Sequence, residues 1–271
     1  MPTALVTGVS RGLGAELCRA LKAAGYRVLG VGLAAAPGHD AVDVYRTADL
    51  RLPLPDGLFT ARDAGKAGKT GESGELGESG DAGEPGESTE VDVLIANAGV
   101  YLDDPRAGYG DLLALTMDDL RQTFEVNFFG TARVVLEWVP RMLARGTGRV
   151  VCVSSGMGRL QDADGASFAY RSSKLAVNSL VLSVSRHFAA GAGELSAFSY
   201  CPGWIRTGMG TGAAPHPPGP AADDLVRLLA LPATRTNGRF FRGTAELGWD
   251  TRGPLVTDEP PAAGRARPGD H

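Results

Sequence analysis

Tyr170 and Lys174 stand four residues apart in the run YRSSK, a spacing that puts both side chains on one face of a helix. A tyrosine with its ordinary pKa near 10 is a poor acid-base group at neutral pH. An ammonium a few ångströms away favours the phenolate and moves that pKa toward the working range. The pair could therefore pass a proton to and from an oxygen, although two solvated helix residues would show the same spacing. Ser154 and Ser155 end the run RVVCVSS, where a hydroxyl could donate to a carbonyl oxygen or simply close a strand with a turn. Asn127 in FEVNFFG is a polar amide among aromatic residues. Asparagine is a mediocre helix former, so it needs a buried hydrogen bond or exposure to explain it.

A second group of residues suits phosphates. The first apolar run passes directly into TGVSRGLG, residues 7 to 14. Gly8 permits a tight turn, Gly12 lets the backbone approach a pyrophosphate, and Gly14 allows close packing of helix on strand. Ser10, Arg11 and Leu13 share that turn, and the following helix N-terminus offers free N–H groups and positive potential. The run lacks the GxxxxGK[ST] pattern of a P-loop. Far along the chain, PGWIRT (residues 202 to 207) follows another apolar run with a Pro-Gly turn that would bring Thr207 to the same edge.

These residues need a scaffold that gathers them. Thr3 to Thr7 reads as a buried strand, and Leu13, Leu17 and Leu21 recur at helical spacing before Gly25. Strands are expected at Tyr26 to Leu33, within Val42 to Leu50, and at Val91 to Ala96, Arg149 to Ser154 and Leu195 to Cys201. Thr116, followed by Asp118 and Asp119, marks the start of a long helix whose buried side would hold Phe124, Phe128, Val135, Trp138 and Met142. A further helix is expected over 166–190. Strand and helix alternating with short connections specify an α/β fold, a single doubly wound parallel sheet with helices on both faces. Ligands of such sheets bind beyond the carboxyl ends of the strands.

Composition narrows the function classes. The chain has 271 residues, 43% hydrophobic and 21% charged, as in a soluble globular protein. Its formal charge of -4 resides entirely in residues 65 to 88, and the remainder holds 25 bases against 25 acids. Nothing points to nucleic acid or an anionic membrane. Cys18, Cys152 and Cys201 read as free buried thiols, and the four histidines form no metal-binding pattern. MPTALVTG lacks the basic flank of a signal peptide, and no apolar run approaches the roughly 20 residues that cross a bilayer. A cytoplasmic protein is expected.

Taken in order, TGxxxGxG, Asn97-Ala98-Gly99, Asn127, Ser155, YxxxK and PGxxxT resemble the short-chain dehydrogenase/reductase family over roughly residues 3 to 250. SSGMGRL, YRSSKLAVN, PGWIRTGMG and the ending GRFFRG…GW are most like its C-factor-like carbonyl reductase branch. The resemblance implies a Rossmann fold and a hydride exchanged between a nicotinamide cofactor and a small carbonyl or alcohol substrate. Tyr170 would be the general acid in reduction and the base in the reverse direction. Lys174 would lower its pKa and bind the nicotinamide ribose. Ser155 would polarise the carbonyl, with the neighbouring Ser154 a second candidate, and Asn127 would support Lys174 through a water-linked path. Asn97, Ala98 and Gly99 would border the cofactor, with Asn97 bracing the sheet. Thr207 and the Ile205 backbone would fix the carboxamide, Pro202 and Gly203 would join them in binding the cofactor, and Asp49 and Leu50 would contact adenine. Relatives often pair through their long helices, which implies a homodimer.

The sequence departs from the family pattern in four places. Fourteen residues separate Ser155 from Tyr170, two more than in many members, which is why Ser154 stays a candidate. Only residues 34 to 42 join the second and third strands, so helix B is reduced. Leu33 and Ala34 stand where an aspartate would read the ribose of NAD, and Arg11 could instead pair with a 2′-phosphate. NADP(H) is therefore expected over NAD(H), unless Arg11 is merely a solvated surface residue. Where helix C belongs, GKAGKTGESGELGESGDAGEPGES repeats glycine at every third position for eight triplets. One proline in eight triplets and both ends tethered to sheet argue against a collagen helix, so 65–90 is expected to be a flexible acidic insertion. The domain is placed at 1–252, with 253–271 a disordered tail. A cofactor-binding regulatory or signalling protein with little turnover is the alternative function, and a collagen-like adhesion protein a distant third.

Overall fold

The computed structural model describes residues 1–55, 58–59, 90–103, 111–162, 165–191, 193–210 and 212–249. The Gly-X-Y run and the tail from 253, with the expectations attached to them, lie outside the described residues.

The described strands form one sheet in the order β3-β2-β1-β4-β5-β6-β7-β8, parallel except for the last pair. They are β1 (Thr3–Thr7), β2 (Arg27–Gly32), β3 (Val44–Thr47), β4 (Val93–Ala96), β5 (Thr147–Val153), β6 (Glu194–Cys201), β7 (Arg239–Arg242) and β8 (Ala245–Leu247). β1 is buried along its whole length, as a strand covered on both faces must be. Its side chains alternate between two cores. Ala4 and Val6 face one hydrophobic cluster and Leu5 the other, the period of two expected of a strand.

One core lies under α1 (Gly12–Ala23) and the later α5 (Pro218–Leu229). Leu13, Leu17 and Leu21 there meet Leu225 and Leu228 over Val28 and Phe198. The opposite core lies under α3 (Thr131–Arg145) and α4 (Phe168–Ala190). Val135, Trp138 and Met142 of α3 and Val177, Val181 and Phe188 of α4 cover Leu29, Leu94 and Val150. Each such side chain contributes about 1.5–3 kcal/mol on burial. Gly25 takes φ +83 after α1, the left-handed exit its position predicted.

The segment between β2 and β3 contains no helix, in line with the short link in the sequence. The expected long helix from Thr116 is instead three pieces. α2 (Met117–Phe124) is capped by the Thr116 hydroxyl, which accepts from Asp119 N at 3.1 Å. A π-helical turn follows over Glu125–Gly130, and α3 continues from it. Phe124 and Phe128, expected among the buried residues, are only partly covered. The sequence reading also stopped short of the last elements: α5, a short α6 (Ala233–Thr236), and the hairpin of β7 and β8, turned through Gly243 at φ +58.

Candidate active site

The turn after β1 is built around glycine. Gly8 and Gly12 adopt φ of +72 and +58, and a Cβ on Gly14 would collide with the Gly8 carbonyl oxygen. Arg11 is the N-cap of α1, yet its side chain makes no capping bond, so the helix presents its first N–H groups to the cleft above the sheet. A Cβ on Gly12 would lie 3.2 Å from Thr207 Cγ2. The two motifs at opposite ends of the chain therefore close on each other. Asn97 braces the floor beneath them: its amide donates to Thr7 O at 2.9 Å and Gly8 O at 3.2 Å. The Thr7 hydroxyl accepts from Asn97 N and Ala98 N.

These residues line one cleft of about 1330 Å³, beyond the roughly 300–1,000 Å³ of ordinary small-ligand pockets. Gly8, Ser10, Arg11, Gly12, Leu13 and Gly14 border it with Asn97, Ala98 and Gly99. Pro202, Gly203, Ile205 and Thr207 close the side beyond β6. At the β2 end, Leu33 is 67% exposed, and Tyr45 and Thr47 hydroxyls donate to Ala34 O. Asp49 and Leu50 reach the same wall. The Asp49 carboxylate is clasped by Arg51, with Nη2–Oδ2 at 2.6 Å and Nε–Oδ1 at 3.0 Å. Those bonds hold its carboxyl below the usual carboxylate range.

Tyr170, Lys174 and Ser155 meet where β5 ends. Tyr170 and Lys174 project from α4 into the cleft, both buried. Lys174 Nζ donates to Val153 O at 2.9 Å and lies 5.7 Å from the centre of the Tyr170 ring. The Ser155 side chain favours the Tyr170 phenolate, and its oxygen accepts from Met157 N at 3.2 Å. Ser154, by contrast, turns its hydroxyl to the backbone, donating to Lys174 O at 3.4 Å. Asn127 is fully buried in the π turn. Its Oδ1 accepts from Val100 N at 2.7 Å, and its Nδ2 donates to Val100 O and Ser173 Oγ. That is the buried hydrogen bonding a mid-helix asparagine required. Asn127 makes no direct bond to Lys174, but both face Gly99, whose Cβ would lie 3.2 Å from Asn127 Oδ1 and 3.5 Å from Lys174 Nζ.

One expectation is reversed. The ammonium was to pull the Tyr170 phenol down toward neutrality. Burial instead pushes it well above its ordinary value of 10, and Ser155 offsets only part of this. The same burial lowers Lys174 from 10.5 to about 8. Desolvation disfavours the charged form of either group, and here it is the largest cause of both shifts.

Asp103 belongs to this site and was not singled out in the sequence. It is 2% exposed and accepts from Ala169 N at 2.7 Å and Tyr170 N at 3.2 Å. The helix that carries Tyr170 and Lys174 is thus capped from a loop after β4. Tyr101 of that loop lies 4.5 Å from Tyr170, centre to centre, and its hydroxyl meets Ser167 Oγ at 2.6 Å. In YLDDP nothing separates Asp103 from its neighbouring aspartate, so no local signal could have found it.

A short chain dehydrogenase model matches residues 85–217. The C-signal of Myxococcus xanthus is 35% identical over 162 residues, covering 59% of this chain and 93% of its own length. The chain belongs to the short-chain dehydrogenase/reductase family. Members of this oxidoreductase family use NAD(H) or NADP(H). Two solved structures share the fold at TM-score 0.69, each covering 89% of this chain and 96% of the other. One is a putative short-chain dehydrogenase/reductase from Burkholderia multivorans with bound NADP, 24% identical. The other is the carbonyl reductase Sniffer of D. melanogaster, 22% identical. Among the described residues no helix is long and apolar enough to cross a membrane, and no group of histidine, cysteine and acidic side chains could hold a metal ion. The three cysteines are free and buried.

Proposed function

We propose that the protein is an NADP(H)-dependent reductase of ketones or aldehydes, working reversibly with Tyr170 as general acid and base. The observation that carries this reading is the convergence of Tyr170, Ser155 and Lys174 on one end of the cleft, where β5 finishes. When bound, the nicotinamide supplies the hydride. Ser155 and Tyr170 together hold the substrate carbonyl, and Tyr170 gives its proton to the oxygen as charge develops there. A phenol kept protonated by burial suits reduction at neutral pH. The reverse reaction needs the phenolate and gains from alkaline conditions. Lys174 holds the nicotinamide ribose, and Asn127 fixes the Val100 loop and the face of α4 that carries Lys174, linked to it through water.

The cleft suits a dinucleotide. Gly8, Ser10, Gly12, Leu13 and Gly14 cradle the pyrophosphate at the start of α1, where larger residues at 12 and 14 would crowd the turn. Asn97, Ala98 and Gly99 form the floor. Pro202, Gly203, Ile205 and Thr207 take the carboxamide. With the Asp49 carboxylate held by Arg51, adenine contact falls to the Asp49 backbone and Leu50. The wall after β2 presents Leu33 and Ala34, and Arg11 stands at the cleft beside them, which supports NADP(H).

The relation to a protein named C-signal favours a second reading, a cofactor-binding signalling protein with little turnover. One experiment separates the two: NADPH oxidation over a panel of carbonyl compounds, with wild type and Tyr170→Phe. The reductase reading expects turnover that falls at least about 100-fold in the variant, while NADPH binding persists. Equal turnover in both proteins refutes the role of Tyr170, and NADPH binding without turnover favours the signalling reading.

A further inference from the structure

Among the described residues lining the cleft, Arg242 is a cation with neither a carboxylate partner nor a part in cofactor binding or proton transfer. Arg242 ends β7, where its Cα pairs with that of Cys201 on β6, and its side chain lines the cleft. A Cβ on Gly156 would collide with Arg242 Nη2. The guanidinium therefore lies against the residue that directly follows Ser155, in space that only glycine leaves open.

The surroundings leave this charge uncompensated. Arg239, on the same strand, is satisfied by both Glu246 oxygens at 2.8 and 2.9 Å. Arg242 is exposed, and among the described residues no carboxylate forms an ion pair with it. The acid beside its turn is Asp224, which sits against Gly243 but gives Oδ1 to Arg227 at 2.7 Å. Elsewhere in the cleft Arg51 is neutralised by Asp49 and Lys174 is spent on Val153 O. Arg11 stands at the far end, in the turn after β1. An unpaired guanidinium presents a planar fork matched to a carboxylate.

We propose that Arg242 is the anchor for a substrate carboxylate, so that the carbonyl compound reduced here is a short oxo acid. The proposal rests on the reductase reading above and names its substrate class. Gly156 follows Ser155 directly, so the guanidinium against it and the hydroxyl that would hold the carbonyl border the same end of the cleft. Met157, Trp204 and Met209 supply an apolar wall for the carbon skeleton. Reduction converts C=O to CH–OH with hydride from NADPH and a proton from Tyr170, and the carboxylate is unchanged.

The test compares benzoylformate and levulinate with their methyl esters, using NADPH and wild type, Arg242→Met and Arg242→Lys. Wild type is expected to favour the acids in kcat/KM. Arg242→Met should lower the acid-to-ester ratio about 10- to 100-fold, chiefly through KM, and Arg242→Lys should restore part of it. Ester reduction with no acid preference, or a ratio unmoved by Arg242→Met, overturns the carboxylate anchor while leaving the reductase reading intact. If no compound is turned over, the reductase reading is the one that fails. Calorimetry with the NADP⁺-loaded protein then decides the site separately. Butyrate binding tighter than butyramide and weakened by Arg242→Met supports it, and equal binding of the two overturns it.

Discussion

Burial holds Lys174 near pKa 8 while Nζ still donates to Val153 O, and this has a consequence for stability. Between about pH 8 and the ordinary lysine value of 10.5, the unfolded chain binds a proton that the folded chain lacks. Stability contributed through this group therefore rises with pH across that window, and the full cost of burying it is felt below pH 8. Tyr170 acts in the opposite sense. Its raised pKa makes the folded state keep a proton above pH 10 that the unfolded state loses, so its effect begins where the first ends. Urea unfolding of wild type and Lys174→Met at several pH values isolates the lysine. The stability of wild type relative to the variant should increase from pH 8 to pH 10, and a flat difference would refute the depressed pKa. The sequence placed these two side chains together but misjudged the sign of the tyrosine shift. Spacing reports proximity, whereas desolvation depends on everything packed around the pair.

At the scale of elements, α4 begins without a local cap. Ser167 sits at φ +58 and makes no capping bond, and the N–H groups of Ala169 and Tyr170 are taken by Asp103. A cap of this kind typically contributes about 0.5–2 kcal/mol, and this one also fixes the turn that carries Tyr170. Asp103→Ala should lower stability by about 1–2 kcal/mol in urea unfolding and reduce kcat more than it raises KM. Asp103→Asn, which keeps an accepting oxygen, should recover part of both. A stability loss with kcat unchanged would make the cap purely structural. Strands and helices with local periodicity were readable: β1, α1, β4 and β6 stand close to where their apolar patterns put them. α5 was not, because Pro217, Pro218, Gly219 and Pro220 read as loop, although proline is well tolerated in a first helical turn. The π turn at Asn127 was hidden too, since the bonds that pay for the extra residue come from Val100 and Ser173, distant in sequence.

For the whole molecule, α2, the π turn and α4 expose apolar side chains on one outer face, beside Arg121 and Glu125. Met117, Phe129 and Phe168 are 59%, 44% and 46% exposed, and with Leu120 and Phe124 they line one shallow groove. Leu136 on α3 and Leu175 on α4 add to the exposed apolar surface. Contiguous apolar surface of this kind marks an association site. A two-fold dimer buries the same patch on both subunits at once, which fits the homodimer implied by the family resemblance. α4 carries Phe168 outward and Tyr170 inward two residues later, so pairing would also steady the start of the helix that carries Tyr170. We expect wild type to sediment as a dimer at micromolar concentration. Replacing Phe129 and Phe168 together by glutamate should yield a folded monomer with reduced kcat, because two carboxylates cannot be buried unpaired in such an interface. Circular dichroism of the variant distinguishes dissociation from misfolding. A wild-type protein that sediments as a monomer, or a charged variant that still dimerises, would show that this face serves another purpose.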